Sequence, residues 1–283
     1  MKHAFYAFMK KALEHGKHLL VEKSITLNSR ELQEMIDLAK EKNLVLAEAM
    51  TIWHMPIYKK LWEIVKNKDL GKVQIITMNF GSFKEYDMNN RFFNMNLAGG
   101  AMLDIGVYAL SIVRSFMDET PDEIVSQWKP SPTGSDEQAT ILLKNSLGQM
   151  ATVALSMHSK QPKRAMISCE KGYIEIMEYP RASKAILVDA ETGKQTELDC
   201  GDTANALYYE MTDMEQAVKN KICTNKNGID KNSADKNDTN KNSESNEQNE
   251  QDEMHLAYTR DVMEIMTRLR KDWGMKYPGE NWD

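Results

Sequence analysis

Apolar positions at the start of the chain recur with helical spacing. In "FYAFMKKALEHGKH", Phe5, Phe8, Met9 and Ala12 share one face, and Gly16 follows as a stop. "HLLVEK" then reads as a short buried strand. "TLNSRELQEMIDLAKEKN" follows as a helix, with Asn28 or Ser29 as N-cap and Leu32, Ile36 and Ala39 on one face. "LVLAEAM" is a second short strand, and strand–helix–strand is the rhythm of a parallel α/β sheet. The spacing of "MPIYKKLWEIVKNKDLG" predicts a helix, and "KVQIITMNFGSF" alternates like a strand. "LAGGAMLDIGVYALSIV" predicts another helix, starting near Gly100. From about residue 122 to 200 come short strands separated by turns, which predict a largely antiparallel sheet. "ALYYEMTDMEQAVKN" and "LAYTRDVMEIMTRLRKDWG" close the chain as amphipathic helices.

Between those helices the pattern lapses. Residues 221–253 are almost devoid of apolar side chains and rich in Asn, Lys, Asp, Ser and Glu, so they are expected to form a disordered insertion in a surface loop.

The 283 residues, 41% hydrophobic and 28% charged, match a soluble globular protein of two modest domains or one large one. A net charge of −6 argues against nucleic acid as a partner. No apolar run reaches the roughly 20 residues of a transmembrane helix, and the first residues lack the pattern of a secretory signal, so no membrane partner is expected. Cys169, Cys200 and Cys223 form no CxxC, and the six histidines form no HExxH or Cys/His cluster. These point to reduced thiols in the cytoplasm and to no metal site.

Two places raise a chemical question. Asp104 interrupts an apolar helix, where a carboxylate is costly to bury without a partner. Tyr108 lies at i+4 on the same face, and Gly106 between them suggests close approach of a backbone or ligand. Spacing alone favours a structural Asp bonded to a neighbouring loop and a Tyr packed at a domain junction. Glu22 and Lys23 end the first strand, where parallel α/β sheets place ligands. A strand running out to the surface also ends in charged residues.

Taken in order, "HLLVEK", "LVLAEAM", "KDLGKVQIITMNFG", "NRFFNMNLAGGAMLDIGVYAL", "EKGYIEIMEYPRASKA" and "RLRKDWGMKYPGE" resemble the glucose–fructose oxidoreductase/inositol dehydrogenase/MocA family, in the branch of dimeric dihydrodiol dehydrogenase and glucose–fructose oxidoreductase. The resemblance implies a Rossmann-type parallel sheet followed by an α+β domain with a largely antiparallel sheet. The division falls as residues 1–70 and 71–283. It implies hydride transfer between NAD or NADP and a sugar, polyol or dihydrodiol-type secondary alcohol, by a chain that forms homodimers or higher homo-oligomers. By resemblance Lys23 is the catalytic lysine and Tyr108 exchanges the substrate proton, its phenol drawn toward phenolate by the nearby ammonium. Asp104 orients substrate or lysine, and Glu22, Lys23 and Glu48 face the cofactor. Trp53, Arg91 and Asp104 are the candidate substrate contacts, with His54 beside them; a packed aromatic and surface charges explain Trp53, His54 and Arg91 about equally well.

Two departures matter. The family's Glu-Lys-Pro is Glu-Lys-Ser here, so Ser24 lacks proline's fixed backbone. No GxGxxG occurs in the chain, and the resemblance begins only at the helix before "HLLVEK". The expectation is therefore an N-terminally truncated Rossmann sheet: Met1 internal to a longer reading frame, a broken gene, or first strands from another chain. As given, the chain is expected to bind cofactor weakly or not at all. The rival readings are a non-catalytic relative kept for oligomerisation or sugar binding, and an unrelated α/β isomerase or lyase.

Overall fold

The computed structural model describes residues 2–231 and 254–282. Helix α1 (Lys2–Glu14) leads into strand β1 (Leu19–Glu22), helix α2 (Ser29–Glu41) and strand β2 (Leu46–Ala49). β1 and β2 pair in parallel as a two-stranded sheet, with Leu19 opposite Leu46 and Glu22 opposite Ala49. Asn28 is the N-cap of α2: its Oδ1 accepts from the Glu31 amide while Glu31 accepts from the Leu27 amide, a reciprocal cap that starts the helix sharply. Leu32, Met35 and Ala39 are its buried face.

Two helices follow, a short α3 (Thr51–His54) and α4 (Pro56–Lys66), with Pro56 at the first turn of α4 where its missing N–H costs nothing. Strand β3 (Val73–Gly81) then enters a second sheet. After a π-helical turn (Met102–Gly106) and helix α5 (Val107–Phe116), that sheet is completed by seven more strands. They are β4 (Glu123–Pro130), β5 (Asp136–Lys144), β6 (Met150–Ser156), β7 (Gln161–Cys169), β8 (Gly172–Met177), β9 (Lys184–Asp189) and β10 (Gln195–Asp199). The order is β10-β9-β8-β7-β3-β6-β5-β4, antiparallel at every pairing except β3 with β6. The architecture is thus a short parallel sheet and a mixed, largely antiparallel one, as the sequence pattern implies.

Alternation sorts the faces of the large sheet. Ile76, Met78, Ala139, Ile141, Leu143, Ala151, Val153, Ala165 and Ile167 are buried, while Ile75, Val125, Leu142 and Met150 on the opposite face are exposed. Helix α5 fills the buried side with Val107, Ala109, Leu110, Ile112 and Val113. The apolar run from Met95 to Phe116 is therefore part of the core. That core is continuous from Met9 and Leu13 of α1 to Tyr277 near the C-terminus.

Helix α6 (Ala206–Lys231) and helix α7 (Leu256–Asp272) end the fold. α6 continues through 221–231, where the sequence pattern suggested disorder; once the packed first half has nucleated a helix, each further residue adds a hydrogen bond. Residues 232–253, the rest of that expected insertion, lie outside the described residues. α7 ties the parts together. Thr267 accepts from the Ser29 amide, Asp261 pairs with Arg114, and Arg270 with Glu280 forms a fully buried ion pair that also binds the Leu27 carbonyl.

Candidate active site

The carboxyl end of β1 meets the π-helical turn. Lys23 Nζ donates to the Asp104 main-chain oxygen at 2.6 Å, lies 3.4 Å from Asp104 Oδ1, and stands 4.7 Å above the Tyr108 ring. Ser24 Oγ donates to the neighbouring Leu103 carbonyl at 2.9 Å, and the Lys23–Ser24 peptide is cis. Serine in place of proline thus adds a hydroxyl that ties this turn to the helix bearing Asp104. Arg91 Nη1 reaches the same Asp104 Oδ1 at 3.1 Å, so one carboxylate oxygen is shared by two cations. The local backbone explains the arrangement. The Val107 amide bonds to the Met102 carbonyl in the i→i+5 manner, a widened turn that recurs at functional sites.

The start of that turn is fixed from the sheet. Asp136, fully buried at the head of β5, accepts from the Met102 amide. Burial pushes its carboxyl up to about 7. Gly106 is needed for packing: a Cβ there would meet Leu155 Cδ1 at 2.9 Å and Met102 Sδ at 3.0 Å. The atoms that approach it most closely are these two side chains.

The Tyr108 phenol is raised to about 12. Burial is the main cause; Arg181 opposes it, and Asp104, Glu22 and Glu210 add to it. The expected pull of Lys23 toward phenolate is therefore not the dominant influence: the ammonium sits over the ring face, and carboxylates crowd the same region. Tyr108 also lines a cavity of about 680 Å³ with Phe80, Lys163, Pro180, Arg181 and Lys184.

Lys23, Asp104, Tyr108 and Arg91 are brought together, and Glu22 lies close enough to act on Tyr108. Three other expectations are corrected. Glu48 is buried, and its carboxylate accepts from the Ile25 amide and the Thr259 hydroxyl, so it is a strut between β2 and α7 rather than a surface facing a cofactor. Trp53 has no exposed surface; it packs among Trp62, His255 and Tyr258 and is not placed to touch a substrate. His54 is likewise buried and bonds Asp213 through Nδ1 at 2.8 Å.

Two residues at the site escaped the sequence reading. Arg181 follows Tyr179-Pro180 in a 3₁₀ turn between β8 and β9. Glu210 lies on α6, nearly 190 residues beyond Glu22 in the chain. It had a legible signal: Ala206, Glu210, Met214 and Ala217 form the buried stripe of that helix, and a Glu in such a stripe is out of place.

A short parallel α/β sheet whose ligand end faces a helix laid on a mixed sheet defines a Rossmann-type domain joined to an α+β domain. Residues 2–50 match the model of the oxidoreductase family with an NAD-binding Rossmann fold, and residues 58–175 match the Gfo/Idh/MocA C-terminal domain. The chain belongs to the Gfo/Idh/MocA family. It is similar to trans-1,2-dihydrobenzene-1,2-diol dehydrogenase of Xenopus laevis, 29% identical over 70% of this chain and 58% of that protein. It is also similar to an NADP-dependent scyllo-inositol 2-dehydrogenase of Bacillus subtilis, 27% identical over 76% of this chain and 66% of that one. The chain thus spans less than two thirds of the length of these curated relatives. Among solved structures, a 3-ketoreductase from Actinomadura kijaniata superposes with a TM-score of 0.73 at 16% identity, covering 94% of this chain and 74% of that one.

Proposed function

We propose that the chain is a cytoplasmic NAD(P)-linked oxidoreductase acting on a secondary alcohol of sugar, polyol or dihydrodiol type. The observation that carries this is the convergence of Lys23, Asp104 and Tyr108 at the carboxyl end of β1, where parallel α/β sheets take their ligands. The dihydrodiol and inositol dehydrogenases among its relatives support the substrate class. The division into residues 1–70 and 71–283 is part of the same reading.

Glu22 and Lys23 suit the reactive end of a nicotinamide dinucleotide, which supplies the hydride acceptor or donor when bound. No pyrophosphate cradle is found among the described residues. There is no GxGxxG, and the N-terminus of α2 is already engaged by Asn28 and Thr267. In this reading Tyr108 exchanges the proton of the substrate hydroxyl. Lys23 steadies the substrate oxygen as it takes on alkoxide character. Asp104 fixes Lys23 through its carbonyl and carboxylate, with Arg91 holding the carboxylate in turn.

The exposed face of the large sheet supports a homodimer. Val125 and Leu142 are cross-strand neighbours, as are Ile75 and Met150, and all four are exposed.

A second reading is a non-catalytic relative that keeps the large sheet for oligomerisation or sugar binding, which the exposed apolar residues Ile75, Val125, Leu142 and Met150 on that sheet would suit. Fluorescence titration of NADH and NADPH into the purified chain separates the two. Saturable binding at micromolar concentration supports the oxidoreductase; no binding of either supports the non-catalytic relative.

A further inference from the structure

We propose that Arg181 sets the substrate specificity of the site: the alcohol carries an oxyanion group, a carboxylate or a phosphate, and Arg181 binds it. This names a substrate class within the oxidoreductase reading above and rests on that reading. Arg181 and Tyr108 line the same cavity of about 680 Å³, a volume suited to a small molecule. A molecule that fills this cavity meets both side chains.

The charges around the cavity single out Arg181. Lys163 pairs with Glu178 at 2.6 Å, and Lys184 pairs with Glu197 at 2.8 Å and Asp199 at 3.1 Å. Glu175, the remaining carboxylate of the wall, pairs with Arg164. Every carboxylate that lines the cavity is therefore taken. Among the described residues, Arg181 is the cation of the wall whose side chain has neither an ion pair nor a hydrogen bond.

The backbone beneath Arg181 is held more firmly than an exposed turn requires. Three successive carbonyls accept hydroxyl hydrogen bonds: Tyr179 from Tyr58 at 2.6 Å, Pro180 from Thr51 at 2.6 Å, and Arg181 from Thr203 at 2.9 Å. The Arg181 amide donates to the Glu178 carbonyl at 3.2 Å. The Tyr179 ring stands edge-on to Phe80 at 5.9 Å, and the Phe80 ring lies 6.4 Å from that of Tyr108. Packed rings thus fix the turn relative to Tyr108. A guanidinium on so fixed a turn has less freedom to lose on binding, and its planar fork matches two oxygens of a carboxylate or phosphate. Its charge also acts on the Tyr108 phenol, opposing the effect of burial. With its oxyanion on Arg181, the substrate spans the cavity to bring a hydroxyl-bearing carbon to Tyr108. The wall between includes the apolar side chains of Phe80, Pro180 and Ala182.

The test is isothermal titration calorimetry on the full chain, without turnover, using two matched pairs of probes. Gluconate against glucitol tests the carboxylate, and glucose 6-phosphate against glucose tests the phosphate. The wild type is expected to bind the charged member of one pair about 10- to 100-fold more tightly than its neutral counterpart. The pair that shows the preference identifies the anion. Arg181→Ala is expected to abolish the preference while leaving the neutral member's affinity unchanged, and Arg181→Lys to keep part of it. In dinucleotide-linked oxidation, Arg181→Ala is expected to raise KM for the charged member by a similar factor with kcat little changed. A wild type that binds neither charged member more tightly than its neutral counterpart, or a preference that survives Arg181→Ala, overturns the proposal. An Arg181-dependent preference in a chain that oxidises no alcohol with either dinucleotide overturns the oxidoreductase reading instead, and leaves Arg181 as the anion site of a binding protein.

Discussion

A Cβ placed on Gly100 would lie 1.9 Å from Oδ1 of Asp136. The same carboxylate accepts from the Met102 amide through its other oxygen, so a glycine at 100 lets β5 clamp the start of the helix that presents Asp104 and Tyr108. Gly100 also has φ of 130°, which a side chain strongly disfavours. Gly100→Ala is expected to cost about 2–4 kcal/mol from overpacking and backbone strain. Urea denaturation measures it; a loss below about 1 kcal/mol would mean that the clamp is not rigid.

The buried pair Arg270–Glu280 is the second test of the framework. Both side chains are fully buried, and Glu280 Oε1 also accepts from Asn28 Nδ2 at 3.0 Å, so the pair joins the C-terminus to the cap of α2. Arg270 holds the Glu280 carboxyl below its usual range. Glu280→Gln leaves a buried guanidinium without its counter-ion and is expected to cost about 3–5 kcal/mol. Thermal unfolding would show it as a large drop in Tm, and a variant with the wild-type Tm would contradict the assignment.

His255 provides a pH signature. Burial among Trp53, Trp62 and Tyr258 lowers its imidazole from 6.5 to about 4, with His54 and Lys59 adding to the effect. A depressed histidine is neutral in the fold while the unfolded chain takes up a proton. Its contribution is thus fully present above pH 6.5 and is lost as pH falls toward 4, by up to about 3 kcal/mol. Asp136, raised to about 7, slopes the other way, losing stability as pH rises from 3.8 to 7. The measurement is therefore the difference between wild type and His255→Gln across that window. Parallel curves would show that His255 does not titrate as its burial requires.

The exposed sheet face gives an assembly prediction. Placing lysine at Val125 and Leu142 together puts charge on the proposed homodimer contact. Sedimentation of the double variant is expected to give a monomer where the wild type gives a dimer. A wild-type monomer, or a variant that stays dimeric, removes this face from the assembly.

How much of this could be read from residues depended on distance along the chain. Lys23, Asp104 and Tyr108 were singled out by the family resemblance; the charge pair ending an apolar strand and the polar notch in an apolar helix, taken alone, suited a structural role better. The parallel pair of strands and the run of antiparallel ones followed from alternation and turn spacing. Trp53 was misjudged because an aromatic near the end of a strand suits either a ligand or a core, and only tertiary packing decides. Glu48 was misjudged for the same reason: the groups it bonds, Ile25 and Thr259, lie far apart in sequence. Arg181 and Glu210 belong to segments far along the chain that come to α3 only through folding. The π-helical turn had no marker beyond Gly106.

The central claim is that Lys23, Asp104 and Tyr108 form a dehydrogenase site. Its most direct test is substrate-dependent reduction of NAD and NADP across a panel of sugars, polyols and dihydrodiols, with wild type, Lys23→Ala and Tyr108→Phe in parallel. The account predicts turnover of at least one secondary alcohol by the wild type, and a loss of at least 100-fold in kcat in each variant with the fold intact. Turnover that survives both substitutions would contradict it.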